Sequence, residues 1–145
     1  MINNEQINAY KKTQQSSNTV TSSHEIVRTL MKELVNSMKK IVLDIQDERN
    51  RKKEQFFVDK AFEEKIARHK SKNLSKSLSI IFGLQTSLDF DKALEIANNL
   101  FQLYEYCRHE IIKGFSQKIE DGILKAIDVI KQIMEGWEEI PSLEK

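Results

Sequence analysis

The feature that most constrains this chain is an apolar pattern of helical period that glycine and proline almost never interrupt. Apolar residues recur at steps of three and four, which places them on one face of an α-helix. Only four Gly and one Pro occur in 145 residues, and no segment shows the alternation typical of a β-strand. The sequence therefore predicts an all-α fold, an antiparallel up-and-down four-helix bundle with short polar connections.

A capping pattern predicts where the first helix begins. Ser22 and Glu25 are spaced as in a capping box, in which each side chain accepts the other residue's backbone N–H. The apolar face that follows is formed by Ile26, Val27, Leu30, Leu34, Met38, Ile41, Val42 and Ile45. The preceding residues, 1–21, are rich in Asn, Gln, Ser and Thr, so we expect a flexible N-terminal arm that could contain a short extra helix.

A charge-dense stretch from residue 47 to residue 76 contains neither Gly nor Pro to stop a helix. We expect the first helix to continue past Asp47 and a polar turn to fall between Arg49 and Asp59. The second helix then returns through Leu74, Leu78 and Ile81.

The third helix is predicted after residues 83–89, which break the periodic pattern. Ser87 or Asp89 is suited to cap it. Its apolar stripe is formed by Phe90, Ala93, Leu94, Ala97, Leu100, Phe101, Tyr104, Cys107 and Ile111. Gly114 is expected to end it, as a C-cap with positive φ.

The fourth helix is predicted to begin at a Ser116 cap and to end at Pro141. Its buried side is predicted to be Ile119, Ile123, Leu124, Ile127, Ile130, Ile133, Met134 and Trp137. The chain is thus divided into the arm, a helical bundle over residues 22–140 and a C-terminal tail over residues 141–145.

Charge and composition argue against several classes of protein. The 23 Lys and Arg nearly balance the 22 Asp and Glu, so no global charge favours nucleic acid or an anionic membrane. The single Cys107 excludes an internal disulfide. The polar start lacks a signal peptide, and no run approaches the ~18 apolar residues of a membrane span. We expect a cytosolic protein with no membrane insertion that recognises a protein partner by shape and apolar surface.

The residue patterns of catalytic sites are missing from the sequence. It has neither a Gly-rich phosphate loop nor a nucleophile elbow. No His has a Glu three residues before it, as the ligands of a di-iron bundle do. Glu105, Cys107 and His109 are close on one helix, but such a grouping is common on a charged helix. We expect no enzymatic activity, no cofactor and no metal.

Several short segments resemble motifs of the FliS family, the flagellin-specific secretion chaperones. Residues 8–13, NAYKKT, resemble the N-A-Y-x-x-T opening of that family. Residues 87–90 (SLDF), 95–100 (EIANNL) and 103–106 (LYEY) are similar to its S-L-D, E-I-A-x-N-L and L-Y-x-Y motifs, in order and register. Residues 135–138, EGWE, resemble its closing E-A-W-E segment.

Two departures from the family pattern accompany this resemblance. The family usually has a short turn after the first helix, whereas residues 47–72 form a longer charged region here. After Leu30 the family tends to read L-Y-D-G-A, and this chain reads MKELV. The resemblance therefore indicates a divergent member.

The resemblance implies a cytosolic flagellar export chaperone. Such a protein binds the C-terminal segment of flagellin, prevents its premature polymerisation and delivers it to the flagellar type III export apparatus. The family's arm docks at the export gate protein, which assigns that role to Ile7 and Tyr10. The implied flagellin-binding groove is lined by Leu30, Leu34, Met38, Leu94 and Phe101, each of which could instead be a core residue.

Two alternatives remain open from the residues. One is a non-enzymatic helical adaptor for a different protein partner. The other is a bundle that binds nucleic acid through the basic residues between positions 49 and 76, although interleaved acidic residues favour a solvated helix face there. We expect no nucleic-acid partner, and self-association is left open.

Overall fold

A computed structural model describes residues 23–54 and 59–139, and in these ranges the chain forms four α-helices and no strand. They are α1 (Ser23–Glu54), α2 (Lys60–Thr86), α3 (Leu94–Gln117) and α4 (Asp121–Glu139). α1 packs on α2 and α4, and α3 packs on the same two helices from the opposite side. This arrangement is the predicted four-helix bundle. The predicted arm with Ile7 and Tyr10, the Ser22 cap and the C-terminal tail lie outside the described residues.

The core is built from the apolar faces of all four helices, and it includes five residues outside the predicted faces: Met31, Val35, Ile80, Leu84 and Ala126. It consists of Met31, Leu34, Val35, Met38, Ile41, Val42, Ile45, Ile80, Ile81, Leu84, Tyr104, Cys107, Ile111, Ile123, Ala126, Ile127 and Ile130. Each Val, Leu or Ile removed from water in this way contributes roughly 1.5–3 kcal/mol. Cys107 is fully buried, and its thiol donates to the backbone carbonyl of Ala126 at 3.7 Å.

Polar contacts set the register of α1 against α2. The buried hydroxyls of Ser37 and Ser77 are 2.8 Å apart, and Lys76 Nζ donates to Glu33 Oε2 at 2.8 Å. Further along the pair, His69 Nδ1 contacts Asp44 Oδ2. Because these partners run in opposite directions along the chain, the two helices are antiparallel.

The extended α1–α2 hairpin agrees with the prediction from its charge-dense sequence. α1 continues past Asp47 and ends at Glu54, within the interval predicted for the turn, and α2 begins at Lys60, one residue after that interval. Asp59 caps α2, since its side chain accepts the backbone N–H of Ala61 at 3.1 Å.

The start of α3 lies later in the chain than predicted. α3 begins at Leu94, and neither Ser87 nor Asp89 caps it. Asp89 Oδ1 instead accepts the backbone N–H groups of Asp91 and Lys92 at 3.0 and 3.1 Å. A short carboxylate binds the N–H groups two or three residues ahead, so Asp89 stabilises a turn that precedes the helix.

The predicted end of α3 at Gly114 is wrong. α3 continues to Gln117, and Lys118 is the residue with positive φ, at 57°. Glycine is required at position 114 because it has no side chain. A Cβ there would lie 2.6 Å from Ile123 Cγ1 and 2.7 Å from the Ile119 carbonyl oxygen.

The predicted start of α4 is also wrong. Ser116 lies in the last turn of α3, and α4 begins at Asp121. Ile119 therefore belongs to the connection between the helices and is 46% exposed. Leu124, which was predicted to be buried, is 42% exposed.

His24 and Trp137 pack together where the two ends of the described chain meet. The rings of His24 and Trp137 stack with centroids 5.0 Å apart. Trp137 Nε1 donates to the His24 carbonyl at 2.9 Å, and His24 Nε2 lies 2.7 Å from the Trp137 carbonyl oxygen. Since a carbonyl only accepts, this ring nitrogen carries the proton. The contact joins the first turn of α1 to the last turn of α4.

Candidate functional site

The five predicted groove residues do not share one open surface. Leu34 and Met38 are fully buried in the core, and Leu30 is half-buried against it. Leu94 is 60% exposed in the first turn of α3, and Phe101 is half-buried two turns later. A role in flagellin binding stays a prediction for all five.

An aromatic patch lies at the junction of α2 and α3. It consists of Phe82, Phe90, Leu94 and Phe101. Phe82 and Phe90 are each 38% exposed, and the rings of Phe90 and Phe101 are 6.3 Å apart and tilted by 60°. Three large apolar side chains are thus exposed along the junction of α2 and α3, a feature that often marks a protein interaction surface.

Gln85 connects the two helices that carry the aromatic patch. Its side-chain amide donates to the Phe101 carbonyl at 3.4 Å and to Glu105 Oε1 at 2.9 Å. This second bond is the main cause that lowers the pKa of Glu105, with a further contribution from Arg108. Gln85 therefore links the two helices beside the patch.

The sequence prediction missed Phe82 and Phe90 as site residues. Phe90 was assigned to the buried stripe of α3, because it continues the apolar spacing. The signal that could have identified it is its neighbourhood, since it stands between two aspartates in the segment SLDFD. A phenylalanine in so polar a segment has few apolar neighbours in sequence to cover it.

A second apolar surface follows the other side of α3. Ile96, Leu103 and Tyr106 are spaced by seven and three residues, and they are 62%, 39% and 39% exposed. The stripe leads into a cavity of about 320 Å³ between α3 and the start of α4. The cavity is lined by Tyr106, Glu110, Lys113, Gly114, Gln117, Ile119, Asp121, Gly122 and Lys125.

A charged network fixes the α3–α4 connection against the hairpin. Glu48 Oε2 accepts from Lys70 Nζ at 2.8 Å, and its Oε1 lies 2.9 Å from Lys118 Nζ. Burial by itself would raise the pKa of Glu48, but the hydrogen bonds and charges of the two lysines outweigh it and lower the pKa to about 2. Beside it, Arg49 donates to both oxygens of Glu120 at 2.8 Å.

Some of the cations between positions 49 and 76 are paired with carboxylates within the fold. Arg49, Lys70 and Lys76 each contact a carboxylate at 2.8 Å. Paired cations have less charge to offer to phosphates, so this geometry gives little support to the nucleic-acid alternative.

The grouping of Glu105, Cys107 and His109 has a structural explanation. Glu105 is engaged by Gln85 and by Arg108, the latter at 3.2 Å. Burial, together with the charge of Glu110, raises the pKa of the Cys107 thiol to about 12, so it is protonated at neutral pH. Among the described residues, no group of His, Cys, Asp and Glu is placed to hold a metal ion. None of the four described helices is long and apolar enough to span a bilayer.

Comparison with known proteins places this architecture in one family. The family model described as flagellar protein FliS matches residues 6–144. The flagellar secretion chaperone FliS of Vibrio cholerae serotype O1 is 31% identical over 72 residues, which cover 50% of this chain and 53% of that protein. The FliS chaperone of Salmonella typhimurium is 33% identical over 72 residues, covering 49% of this chain and 53% of its own.

The chain thus spans about half the length of the curated relatives it matches. No solved structure matches it. The family model, however, covers nearly the whole sequence and confirms the resemblance of the motifs. On that evidence, this protein belongs to the FliS family.

Proposed function

We propose that this protein is a flagellar secretion chaperone that holds the C-terminal segment of flagellin in the cytosol. It prevents premature polymerisation of that segment and delivers it to the flagellar type III export apparatus. Membership of the FliS family and the names of its relatives support the chaperone role. We place the flagellin-binding site at the aromatic patch, because apolar side chains remain exposed there on an otherwise well-packed bundle.

The client chemistry fits a surface of this kind. A segment that is apolar on one face, as the family resemblance implies for flagellin, buries that face in a groove between helices. Ordering a flexible client costs conformational entropy, so several apolar anchors are needed for useful affinity. Leu94 and Phe101 of the predicted groove, together with Phe82 and Phe90, supply such anchors.

The N-terminal arm is proposed to serve the delivery step. We infer that residues 1–21 form a segment separate from the bundle, and that Ile7 and Tyr10 contact the export gate protein. A Tyr10→Ala variant is accordingly useful as a separation-of-function control, because it should retain flagellin binding while impairing secretion.

The proposal is tested by calorimetric titration of the full chain with a synthetic C-terminal segment of flagellin from the same genome. We expect a dissociation constant in the micromolar range or below, and a loss of at least about tenfold for Leu94→Asp. Leu43→Asp is the matched control, because Leu43 on α1 is 61% exposed while Leu94 is 60% exposed. Circular dichroism should show both variants to be folded.

Two results would contradict the proposal. One is the absence of any complex between the wild-type chain and the flagellin segment at micromolar concentration. The other is equal binding by the Leu94→Asp and Leu43→Asp variants, which would move the client away from the aromatic patch.

A further inference from the structure

The second apolar surface lies on the side of α3 that faces α4. Ile96, Leu103 and Tyr106 share this side with Glu110, because their spacings of seven, three and four residues match the helical period. Glu110 lies against α4, since a Cβ on Gly122 would be 2.0 Å from its Oε2 atom. These residues and the cavity at their end form what we call the α3–α4 groove.

The aromatic patch lies on the opposite side of α3. Gln85 of α2 binds the Phe101 carbonyl and the Glu105 carboxylate, so that side of α3 borders α2. A chain bound at the aromatic patch and a chain bound in the α3–α4 groove would therefore be separated by the width of α3. We therefore expect the two surfaces to be occupied independently.

The dimensions of the α3–α4 groove suit a helix. From Ile96 to Gln117 the groove is about 31 Å long, at 1.5 Å per residue, which matches an α-helix of ~20 residues. Three exposed apolar side chains at helical spacing present a stripe to such a helix. The cavity of about 320 Å³ at the end is large enough for an anchoring side chain.

Carboxylates dominate the outer face of α4, which borders the α3–α4 groove. Asp121 lines the cavity, and Asp128, Glu135 and Glu139 follow at intervals that keep them on the same side of α4. None of these four residues forms an ion pair within the described part of the chain. Together with Glu110, Lys113 and Lys125 of the cavity, this face holds five carboxylates and two ammonium groups, a net charge of −3.

The charge of the bundle is divided between opposite helices. α2 contains six Lys and Arg against two Glu, a net +4, whereas α4 contains two Lys against five Asp and Glu, a net −3. These two helices do not pack against each other. A cationic partner is thus attracted to the α4 side and repelled from the α2 side.

We propose that the α3–α4 groove is a second protein-docking site, and that its partner is a basic amphipathic helix. The apolar face of that helix packs on Ile96, Leu103 and Tyr106. Its Lys and Arg side chains pair with the unpaired carboxylates of α4. This site is additional to the proposed flagellin site and does not depend on it.

The test uses an 15N-labelled full chain and three peptides of about 18 residues. The first peptide is an amphipathic helix with Leu on one face and Lys on the other; the second carries Glu in place of Lys; the third is a scrambled version of the first. We expect the Lys peptide to shift the amide signals of the α3–α4 groove. Its affinity should fall about tenfold or more when salt rises from about 0.05 to about 0.3 M. The Glu and scrambled peptides should bind at least about tenfold more weakly.

Matched variants assign the binding to named side chains. Leu103→Asp should weaken the Lys peptide at least about tenfold, whereas Leu43→Asp on the outer face of α1 should have no effect. The double variant Asp128→Lys with Glu135→Lys should weaken the Lys peptide and strengthen the Glu peptide. The counterpart on the basic helix, Lys72→Glu, should leave the affinity for the Lys peptide unchanged or slightly higher.

Three outcomes would overturn this inference. They are equal binding of the Lys and Glu peptides, an unchanged affinity for Leu103→Asp, and displacement of the Lys peptide by the flagellin segment. Displacement would show that the groove belongs to the client site. If the flagellin segment fails to bind at all while the Lys peptide binds as expected, only the proposed chaperone function is refuted.

Discussion

At the scale of single residues, Gly114 and Gly136 are opposite cases of a glycine inside a helix. At Gly114 an added Cβ would meet Ile123 and the backbone oxygen of Ile119 at 2.6–2.7 Å, whereas at Gly136 it would meet nothing within 4 Å. Gly114 therefore permits the close approach of two helices. Gly136 only lowers the helix propensity of α4.

We predict opposite effects for alanine at these two positions. Gly114→Ala should lower the free energy of unfolding by about 1–3 kcal/mol, because the new methyl group forces α3 and α4 apart. Gly136→Ala should raise it by up to about 1 kcal/mol, since alanine is the better helix former. Urea unfolding followed by circular dichroism measures both. Equal effects of the two substitutions would contradict the packing role of Gly114.

The same residues show what sequence can and cannot reveal locally. A glycine between two apolar segments resembles a helix end, and packing through its missing side chain leaves the same signature in sequence. The true left-handed residue, Lys118, carries no such signal because lysine rarely adopts positive φ. Which of the two roles a glycine has depends on the neighbouring helix, here on Ile123.

At the scale of elements, Glu48 joins three helical segments. It lies on α1, binds Lys70 of α2 and contacts Lys118 at the end of α3. Its side chain is 13% exposed and that of Lys70 is 7% exposed. Separating Glu48 from its two lysine partners would leave a buried carboxylate unpaired, which costs free energy. The network therefore fixes the position of the α3–α4 connection relative to α1 and α2.

The network predicts an acid-dependent loss of stability. The pKa of Glu48 is lowered from 4.5 to about 2 in the folded chain, so the unfolded chain binds the proton more readily. The stabilisation is complete above pH 4.5 and is lost as the pH falls towards about 2. Its size is roughly 3 kcal/mol for a shift of this extent.

Glu48→Gln should flatten this dependence. We expect the variant to be less stable than the wild type at neutral pH and to converge with it near pH 2, as measured by urea unfolding at a series of pH values. Glu64→Gln is the control, because Glu64 is 61% exposed and lies 4.0 Å from Arg68. A parallel pH dependence in the Glu48→Gln variant and the wild type would refute the assignment.

The number and order of the helices could be predicted from the sequence, but the residues at which the helices begin and end were predicted less well. The long α1 and α2 follow from a segment without Gly or Pro, where nothing competes with helix formation. The start of α3 was placed too early because Phe90 and Ala93 continue its apolar spacing. The local hydrogen bonds of Asp89 prevail there, and spacing alone does not show them.

At the scale of the whole molecule, the bundle is closed by contacts between its first and last helices. His24 and Trp137 are 113 residues apart in sequence, and Arg28 Nε donates to Glu138 Oε1 at 2.8 Å one turn further along α1. Loss of this closure would expose one edge of the core to water, so it should affect the stability of the entire bundle.

We predict that His24→Ala lowers the free energy of unfolding by about 1–2 kcal/mol, the combined size of a ring stacking and a hydrogen bond. Trp137 is the single tryptophan of the chain, so its fluorescence reports the change directly. Its emission should shift to longer wavelength before any unfolding. His109→Ala, at an exposed position on α3, is the control and should alter neither quantity.

The binding surface could not be predicted from the sequence, because it depends on how the four helices pack together. Sequence periodicity marks Leu34, Met38 and Leu94 alike as apolar members of helical stripes. Only the packing of four helices decides that the first two are fully buried and that Leu94 is 60% exposed. The motifs identified the family, while the aromatic patch and the α3–α4 groove required the arrangement of all the helices.

The burial of Cys107 has a practical consequence for studying these surfaces. Its thiol is the only one in the chain and, with a pKa of about 12, it is almost entirely unreactive towards maleimides near neutral pH. A cysteine introduced on the outside of the bundle would consequently be the sole site of attachment. Spin labels or fluorophores could then be placed one at a time along the α3–α4 groove and at the aromatic patch without first removing the native sulfur.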